Sequence, residues 1–252
     1  MTSRDPVLTL RRLEDVLGFT LPVFLVFLFV FASGCQSKDI PVDTKPVVRG
    51  NVLLQVYLVR HAESKKNVLH LPWTSEEELD TLTTKGREQA AAIANFLKDK
   101  NIVAIQSSPT GRTRETAQAM SEILGLAEGF EVLEDFASLH GGTGPDGNPV
   151  SWAWREQQWV LGNDPRPEGG ESMSDGEIRA RGALKKLAER FAGQAVAIVS
   201  HGDICAALLG FAQNTPIFNR YTAHQVPTGS VSEFIITDTG WFVIDVGRQP
   251  SE

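Results

Sequence analysis

Cysteine is almost missing from this chain: of 252 residues only Cys35 and Cys205 carry a thiol. Two are too few for a disulfide framework, so packing has to hold the core together. A cationic excess is missing too. Lys and Arg number 24 against 31 Asp and Glu, a formal charge of -7. Sequence-independent nucleic-acid binding needs a net cationic face, so no nucleic-acid partner is expected. Any anion site must be a local gathering of Arg and His. There is also no apolar run of bilayer length. Residues 19–31 come nearest, broken only by Thr20 and Pro22, and rise only ~20 Å as a helix against a ~30 Å hydrocarbon core. Finally, no Pro/Gly/Ser linker divides the chain after about residue 50, and one large domain is expected there.

The short apolar run suits the core of a signal peptide better than a spanning helix. Three arginines precede it, Arg4, Arg11 and Arg12, balanced by Asp5, Glu14 and Asp15, and it ends in Ala32-Ser33-Gly34-Cys35. Small residues before a cysteine resemble a bacterial lipoprotein cleavage site, which implies that Cys35 becomes an acylated first residue. Ala32, where Leu is commoner, and the acids before the run depart from that pattern. Residues 1–35 are therefore expected to be a lipoprotein signal peptide, and the protein to be exported and membrane-anchored through lipid. Residues 36–51, with Pro41 and Pro46 and no apolar periodicity, read as a flexible tether.

From residue 52 strands and helices alternate. The run Val52-Leu53-Leu54-Gln55-Val56-Tyr57 predicts a buried strand ending in Arg60-His61. Residues 64–80 read as a loop. Thr83 or Thr84 caps a helix with the stripe Ala90, Ile93, Ala94 and Leu97, and residues 102–105 form a second strand ending in Ser107-Ser108. A helix after Arg112 carries Ala117, Met120, Ile123 and Leu124, and residues 130–133 form an edge strand. Trp152, Trp154 and Trp159 suggest a covering helix over residues 151–161 with buried indoles. A long helix follows through Phe191, striped with Ile178, Leu184, Leu187, Ala188 and Phe191. Residues 194–200 are a buried strand that delivers His201-Gly202-Asp203. Cys205 lies on the next helix as a small core hydrophobe, residues 231–246 close the domain as a hairpin turning at Thr239-Gly240, and 247–252 form a tail. The expected class is α/β, a three-layer α/β/α sandwich around a mainly parallel sheet.

Chemistry concentrates at the strand ends. In open α/β sheets the carboxyl ends of the strands are where sites form, and here they present Arg60-His61, Arg112 and His201, with Glu134 between. Two arginines and two imidazoles repel a metal cation and suit a tetrahedral dianion. A phosphate pocket without metal or cofactor is expected. His70, His140 and His224 read as loop histidines, His140 near the rim.

These residues resemble the histidine phosphatase superfamily, in the branch holding cofactor-dependent phosphoglycerate mutases and many small phosphatases. Arg60-His61-Ala62-Glu63-Ser64, with Asn67 after it, is similar to the opening motif Arg-His-Gly-Glu-Ser, with Ala62 replacing Gly. Leu82-Thr83 with Gly86 and Gln89-Ala90, Ser108-Pro109 with Arg112, Glu134 eight residues before Gly142, Gly169-Gly170-Glu171-Ser172 and Ser200-His201-Gly202 complete the pattern over residues 52–246. The resemblance implies that His61 accepts the phosphoryl group, that Arg60, Arg112 and His201 hold its oxygens, that Asn67 and Gly202 contact the phosphate or substrate, and that Glu134, or Asp135 beside it, moves the proton. The expected function is hydrolysis of small phosphomonoesters through a phosphohistidine. A mutase with the same pocket and a non-catalytic phospho-ligand-binding lipoprotein are the alternatives.

Overall fold

The computed structural model describes residues 46–68 and 74–251. The expected signal peptide with Cys35, most of the expected tether and His70 lie outside the described residues.

The elements run β1 (Val52–Arg60), α1 (Lys65–Val68), α2 (Glu76–Leu79), α3 (Thr84–Leu97), β2 (Ile102–Ser107), α4 (Gly111–Leu124), β3 (Glu131–Val132), α5 (Trp152–Val160), α6 (Met173–Arg190), β4 (Ala195–Ser200), α7 (Gly202–Ala212), α8 (Arg220–Ala223), β5 (Val231–Thr237) and β6 (Gly240–Arg248). The sheet order is β3-β2-β4-β1-β5-β6. The first four strands are parallel neighbours, and β5 and β6 add an antiparallel edge.

Strand alternation explains the layers. Leu54, Val56 and Leu58 of β1 and Val196 and Ile198 of β4 face one core with Leu184 and Leu187 of α6 and Leu208 of α7. Tyr57 and Val59, with Ala197 and Val199, face the other core with Ile93 and Leu97 of α3 and Met120 of α4. Side chains one residue apart point to opposite faces, so a strand buried on both faces is apolar along its length, as the first five residues of the fully buried β4 are before Ser200 at the site end. Local signals fix the helix starts. The Thr83 side chain accepts from the Gly86 N–H at 2.9 Å, and Ser172 and Asp175 form a capping box at α6.

Several sequence expectations are corrected. Residues 64–80 are not all loop, because Ser75 caps the short helix α2. The indoles are not all buried: Trp159 is, while Trp152 is 37% exposed, because a nine-residue surface helix has only one face toward the core. Ile178 leaves the α6 stripe at 65% exposure. Met173, Ala180, Leu184 and Leu187 line the buried face instead, at the spacings of one helical face. Ile123 is 36% exposed at the end of α4. The edge strand has only two residues, and the last strand runs on to Arg248.

Two glycines separate close approach from open space. A Cβ on Gly86 would lie 2.0 Å from the Glu63 carbonyl oxygen, while one on Gly182 of α6 would meet nothing within 4 Å. Gly86→Ala should therefore destabilise the protein by about 1–3 kcal/mol, a fall of roughly 2–12 °C in Tm for a domain of this size. Gly182→Ala should stabilise it by about 0.5–1 kcal/mol through helix propensity. Calorimetric melting of both variants checks the pair, and equal shifts would contradict the close contact at Gly86.

Candidate active site

Three adjacent parallel strands deliver the site, and the sheet ladder continues past their ends. The His61 N–H donates to the Ser200 carbonyl at 2.9 Å and the Ser108 N–H to the Val199 carbonyl at 2.9 Å. The residues after β1, β2 and β4 are thereby held side by side. His61 and His201 are both buried, with ring centroids 5.3 Å apart and planes at 62°.

Hydrogen-bond partners fix both tautomers. His61 Nδ1 lies 2.8 Å from the Ala62 carbonyl oxygen, which can only accept. The proton is therefore on Nδ1 and the lone pair on Nε2, where Arg112 Nε donates at 3.2 Å. Arg112 Nη2 donates to His201 Nδ1 at 3.0 Å, so His201 carries its proton on Nε2, which donates to Ser108 Oγ at 2.7 Å. The third arm of Arg112, Nη1, pairs with Asp80, whose other oxygen accepts the Gly111 N–H at 2.5 Å.

Arg60 closes the other side. Its Nη1 donates to the Val226 carbonyl at 2.6 Å, and its Nε is buried without a protein partner among the described residues. Gly202 makes room for it, since a Cβ there would lie 3.1 Å from Arg60 Cζ. A buried N–H without an acceptor is costly, and an anion's oxygen would satisfy it. Ala62, the departure from the family motif, has no positive φ and is fully buried beside Leu82 and Ala90. A methyl group is therefore tolerated where Gly is usual. Its N–H donates to Thr116 Oγ1 at 3.1 Å.

The remaining expected residues sit as follows. Asn67 is exposed, and its Oδ1 accepts from the Ser64 N–H at 2.9 Å and Ser64 Oγ at 2.8 Å. Its carboxamide oxygen is thus occupied, and the NH2 remains as the donor end. Glu134 opens the 3-10 turn Glu134–Phe136 and is exposed, with Asp135 half-buried. That turn is tied to the same strand ends. Leu133 N–H donates to the Ser107 carbonyl at 2.8 Å and Ser200 Oγ to the Phe136 carbonyl at 2.7 Å. His140 is exposed, with Nδ1 3.8 Å from Glu171. His224 caps α8 and meets Thr215 Oγ1 at 2.7 Å. Cys205 is buried, and burial pushes its thiol up to about 12, leaving it inert.

Sequence reasoning assigned no role to Asp80, Ser108, Asp203, Arg155 or Arg179, all of which hold site groups. Asp80 stands two residues before Leu82-Thr83 and Arg179 eight after Glu171. Fixed spacing from recognised motifs was their only signal.

Geometry of this kind defines an α/β protein with a cluster of two arginines and two neutral imidazoles at its strand ends, a donor set that suits a tetrahedral oxyanion. A family model, the histidine phosphatase superfamily (branch 1), matches residues 56–248, and the chain belongs to that superfamily. The probable phosphoglycerate mutase GpmB of Photorhabdus laumondii is 34% identical over 164 residues, 63% of this chain and 74% of that one. The solved structure of Mycobacterial hydrolase 1 superposes with a TM-score of 0.63 at 23% identity, covering 80% of this chain and 100% of that one. A mycobacterial glucosyl-3-phosphoglycerate phosphatase in complex with VO3 gives 0.57 at 24% identity, covering 75% and 96%. These two likenesses bear on the fold, a six-stranded mixed sheet in a single α/β domain.

Both imidazoles are held neutral. Burial first, then the charge of Arg112, push His61 down to about 3 against an opposing pull from the Ala62 carbonyl, with the charge of Arg60 a smaller contribution. Burial and the neighbouring His61, Arg112 and Arg60 likewise hold His201 well below the usual range. An unfolded histidine titrates near 6.5. Between that pH and about 3 the unfolded chain binds a proton that folded His61 refuses, so stability is full above 6.5 and falls as pH falls through this window. Each such histidine should add about 1.4 kcal/mol per pH unit to the slope. Chemical denaturation of wild type and His61→Asn between pH 6.5 and 4 checks this. The variant's slope should be shallower by about that amount, and an unchanged slope would show that His61 titrates normally in the folded protein.

Proposed function

We propose that the protein is a phosphomonoester hydrolase that works through a phosphohistidine at His61. The observation that carries this reading is the His61 ring itself. Its Nδ1 proton is committed to the Ala62 carbonyl, and its Nε2 lone pair faces the Arg112 guanidinium. A neutral, buried, oriented imidazole among cations has the makings of a phosphoryl acceptor.

In the first step Nε2 attacks phosphorus, the P–O bond to the leaving group breaks, and Glu134 gives its proton to the departing alkoxide. In the second, Glu134 takes a proton from water, the water oxygen attacks phosphorus, and the N–P bond breaks to release phosphate and neutral His61. Arg112 and Arg60 neutralise charge on the equatorial oxygens, which is most of what phosphoryl transfer requires, and the dianion's charge favours a proton on His201 Nδ1, with which that ring would donate to an oxygen. Asn67 and the Gly202 N–H, at the start of the eleven-residue α7, are further donors. The incoming phosphate must draw Arg112 away from the two imidazole lone pairs.

The name carried by the curated relatives favours a second reading, a mutase that returns the phosphoryl group to its substrate. The short segment between Glu134 and Gly169 favours the hydrolase, because a mutase must enclose its substrate against water. Turnover of 3-phosphoglycerate with its bisphosphate, compared with that of an aryl phosphate, separates the two.

Rapid quench in alkali followed by mass spectrometry should find one phosphate's mass on the peptide containing His61, with activity surviving EDTA and inhibited by vanadate. His61→Ala should abolish the adduct and nearly all turnover. Glu134→Gln should slow poor leaving groups by about 10²-fold or more. An adduct on another residue, or an EDTA-sensitive rate, would overturn the assignment.

We further propose export and lipid anchoring through Cys35, a reading supported by Ala32-Ser33-Gly34-Cys35 after the apolar run. Cys35→Ala should leave an unprocessed precursor without fatty-acid label. A wild-type chain that is neither processed nor labelled would refute the anchor.

A further inference from the structure

The stretch from Glu134 to Gly141 has one 3-10 turn and no other regular structure, yet each of its eight residues is tied down from outside or across the turn. Arg179 Nη1 donates to the carbonyls of Glu134 at 3.1 Å and Asp135 at 2.8 Å, and its Nη2 donates to that of Ala137 at 3.1 Å. Ser200 Oγ holds the Phe136 carbonyl at 2.7 Å. Asp203 Oδ2 accepts from Ser138 Oγ at 2.6 Å and the Leu139 N–H at 2.7 Å. Arg155 Nη2 donates to the carbonyls of His140 at 2.5 Å and Gly141 at 2.6 Å.

Arg179 is the centre of this set. Its Nε and Nη2 also grip Glu171 in a bidentate pair, at 2.9 and 2.7 Å. A guanidinium has five N–H donors, and here all five are engaged: two on Glu171 and three on the carbonyls around Glu134. Glu171 Oε2 in turn accepts the His140 N–H at 3.1 Å. Lysine has neither the number of donors nor the planar fork.

We infer that Arg179 is a positioning residue for proton transfer to the leaving group, its guanidinium fixing the backbone from which Glu134 reaches the substrate. This rests on the reading above that Glu134 is the donor. Glu134 is exposed and its side chain is long, so the precision of its carboxyl comes from the backbone beneath it. A general acid has to come within hydrogen-bond reach of the departing oxygen, and a displacement of ~1 Å can cost ~10²-fold. Arg179 touches no reacting atom, although its charge is among those felt by His201.

The test uses the full chain and phosphate esters of graded leaving-group acidity, from a dinitrophenyl to a simple alkyl phosphate. The variants are Arg179→Met, Arg179→Lys, Glu134→Gln and Asp135→Asn. Arg179→Met should lower kcat on the alkyl ester by about 10²-fold and on the dinitrophenyl ester by under about threefold, since an acidic leaving group needs no proton. The phosphate inhibition constant should stay within about twofold, because uniform binding is untouched. Arg179→Lys, which keeps the charge and its ion pair, serves if the Met variant folds poorly. It should show the same steep dependence with a melting temperature close to wild type. Added to Glu134→Gln, Arg179→Met should cost little more on the alkyl ester, as members of one unit are not additive. A uniform loss across all esters, a parallel rise in the phosphate constant, or full alkyl-ester turnover in Arg179→Lys would overturn the inference. If Glu134→Gln or Asp135→Asn is leaving-group dependent while the Arg179 variants are not, the positioning role alone fails. If neither acid variant shows the dependence, the proton-donor reading fails and takes the inference with it.

Discussion

Arg112 is the group on which the pocket depends. Its three arms reach His61 Nε2, His201 Nδ1 and Asp80, and through them it joins the loops that follow three separate strands. Because a guanidinium only donates, each contact also dictates where the partner's proton is. One cation therefore sets two tautomers and, with burial, keeps both rings neutral. Two uncharged imidazoles between two arginines leave a local excess of positive charge, which suits the dianion of the proposed reaction. Asp80 balances Arg112 from behind, and its second oxygen takes the Gly111 N–H, so the start of α4 is fixed to the same carboxylate.

The sheet makes this arrangement possible at close range. Parallel strands β2, β4 and β1 are neighbours, and parallel pairing aligns their carboxyl ends. Alternation of apolar side chains on both faces gives the strands two cores, which leaves only the strand ends for polar groups. Small residues then admit large ones at particular points: Gly86 lets Glu63's carbonyl approach, and Gly202 lets Arg60 lie across the start of α7.

Around the pocket the carboxylates divide by occupation. Asp80, Glu171 and Asp203 are each committed to structural donors, while Glu134 and Asp135 are held through their carbonyls. An acidic protein with a formal charge of -7 thus maintains a locally cationic site. Its nearby acids neutralise a specific arginine, as Asp80 and Glu171 do, accept local N–H and O–H groups, as Asp203 does, or stand on the clamped turn.

Much of this was legible in the chain itself. The strand runs, a threonine cap at Thr83 or Thr84, the residue class at each strand end and the family pattern are local or ordered signals, and local signals survive without knowledge of the partner. Trp152 and Ile178 were misplaced because helical periodicity gives the width of a face and not which edge of it meets a neighbour. Tertiary structure alone decided the order β3-β2-β4-β1-β5-β6, which puts His61 and His201 side by side although 140 residues separate them. It alone decided the His201 tautomer, which depends on Arg112 and Ser108, both distant in sequence. It also decided the work of Asp80 and Arg179, because an arginine whose five donors meet three carbonyls and a carboxylate has no signature until those acceptors are brought together.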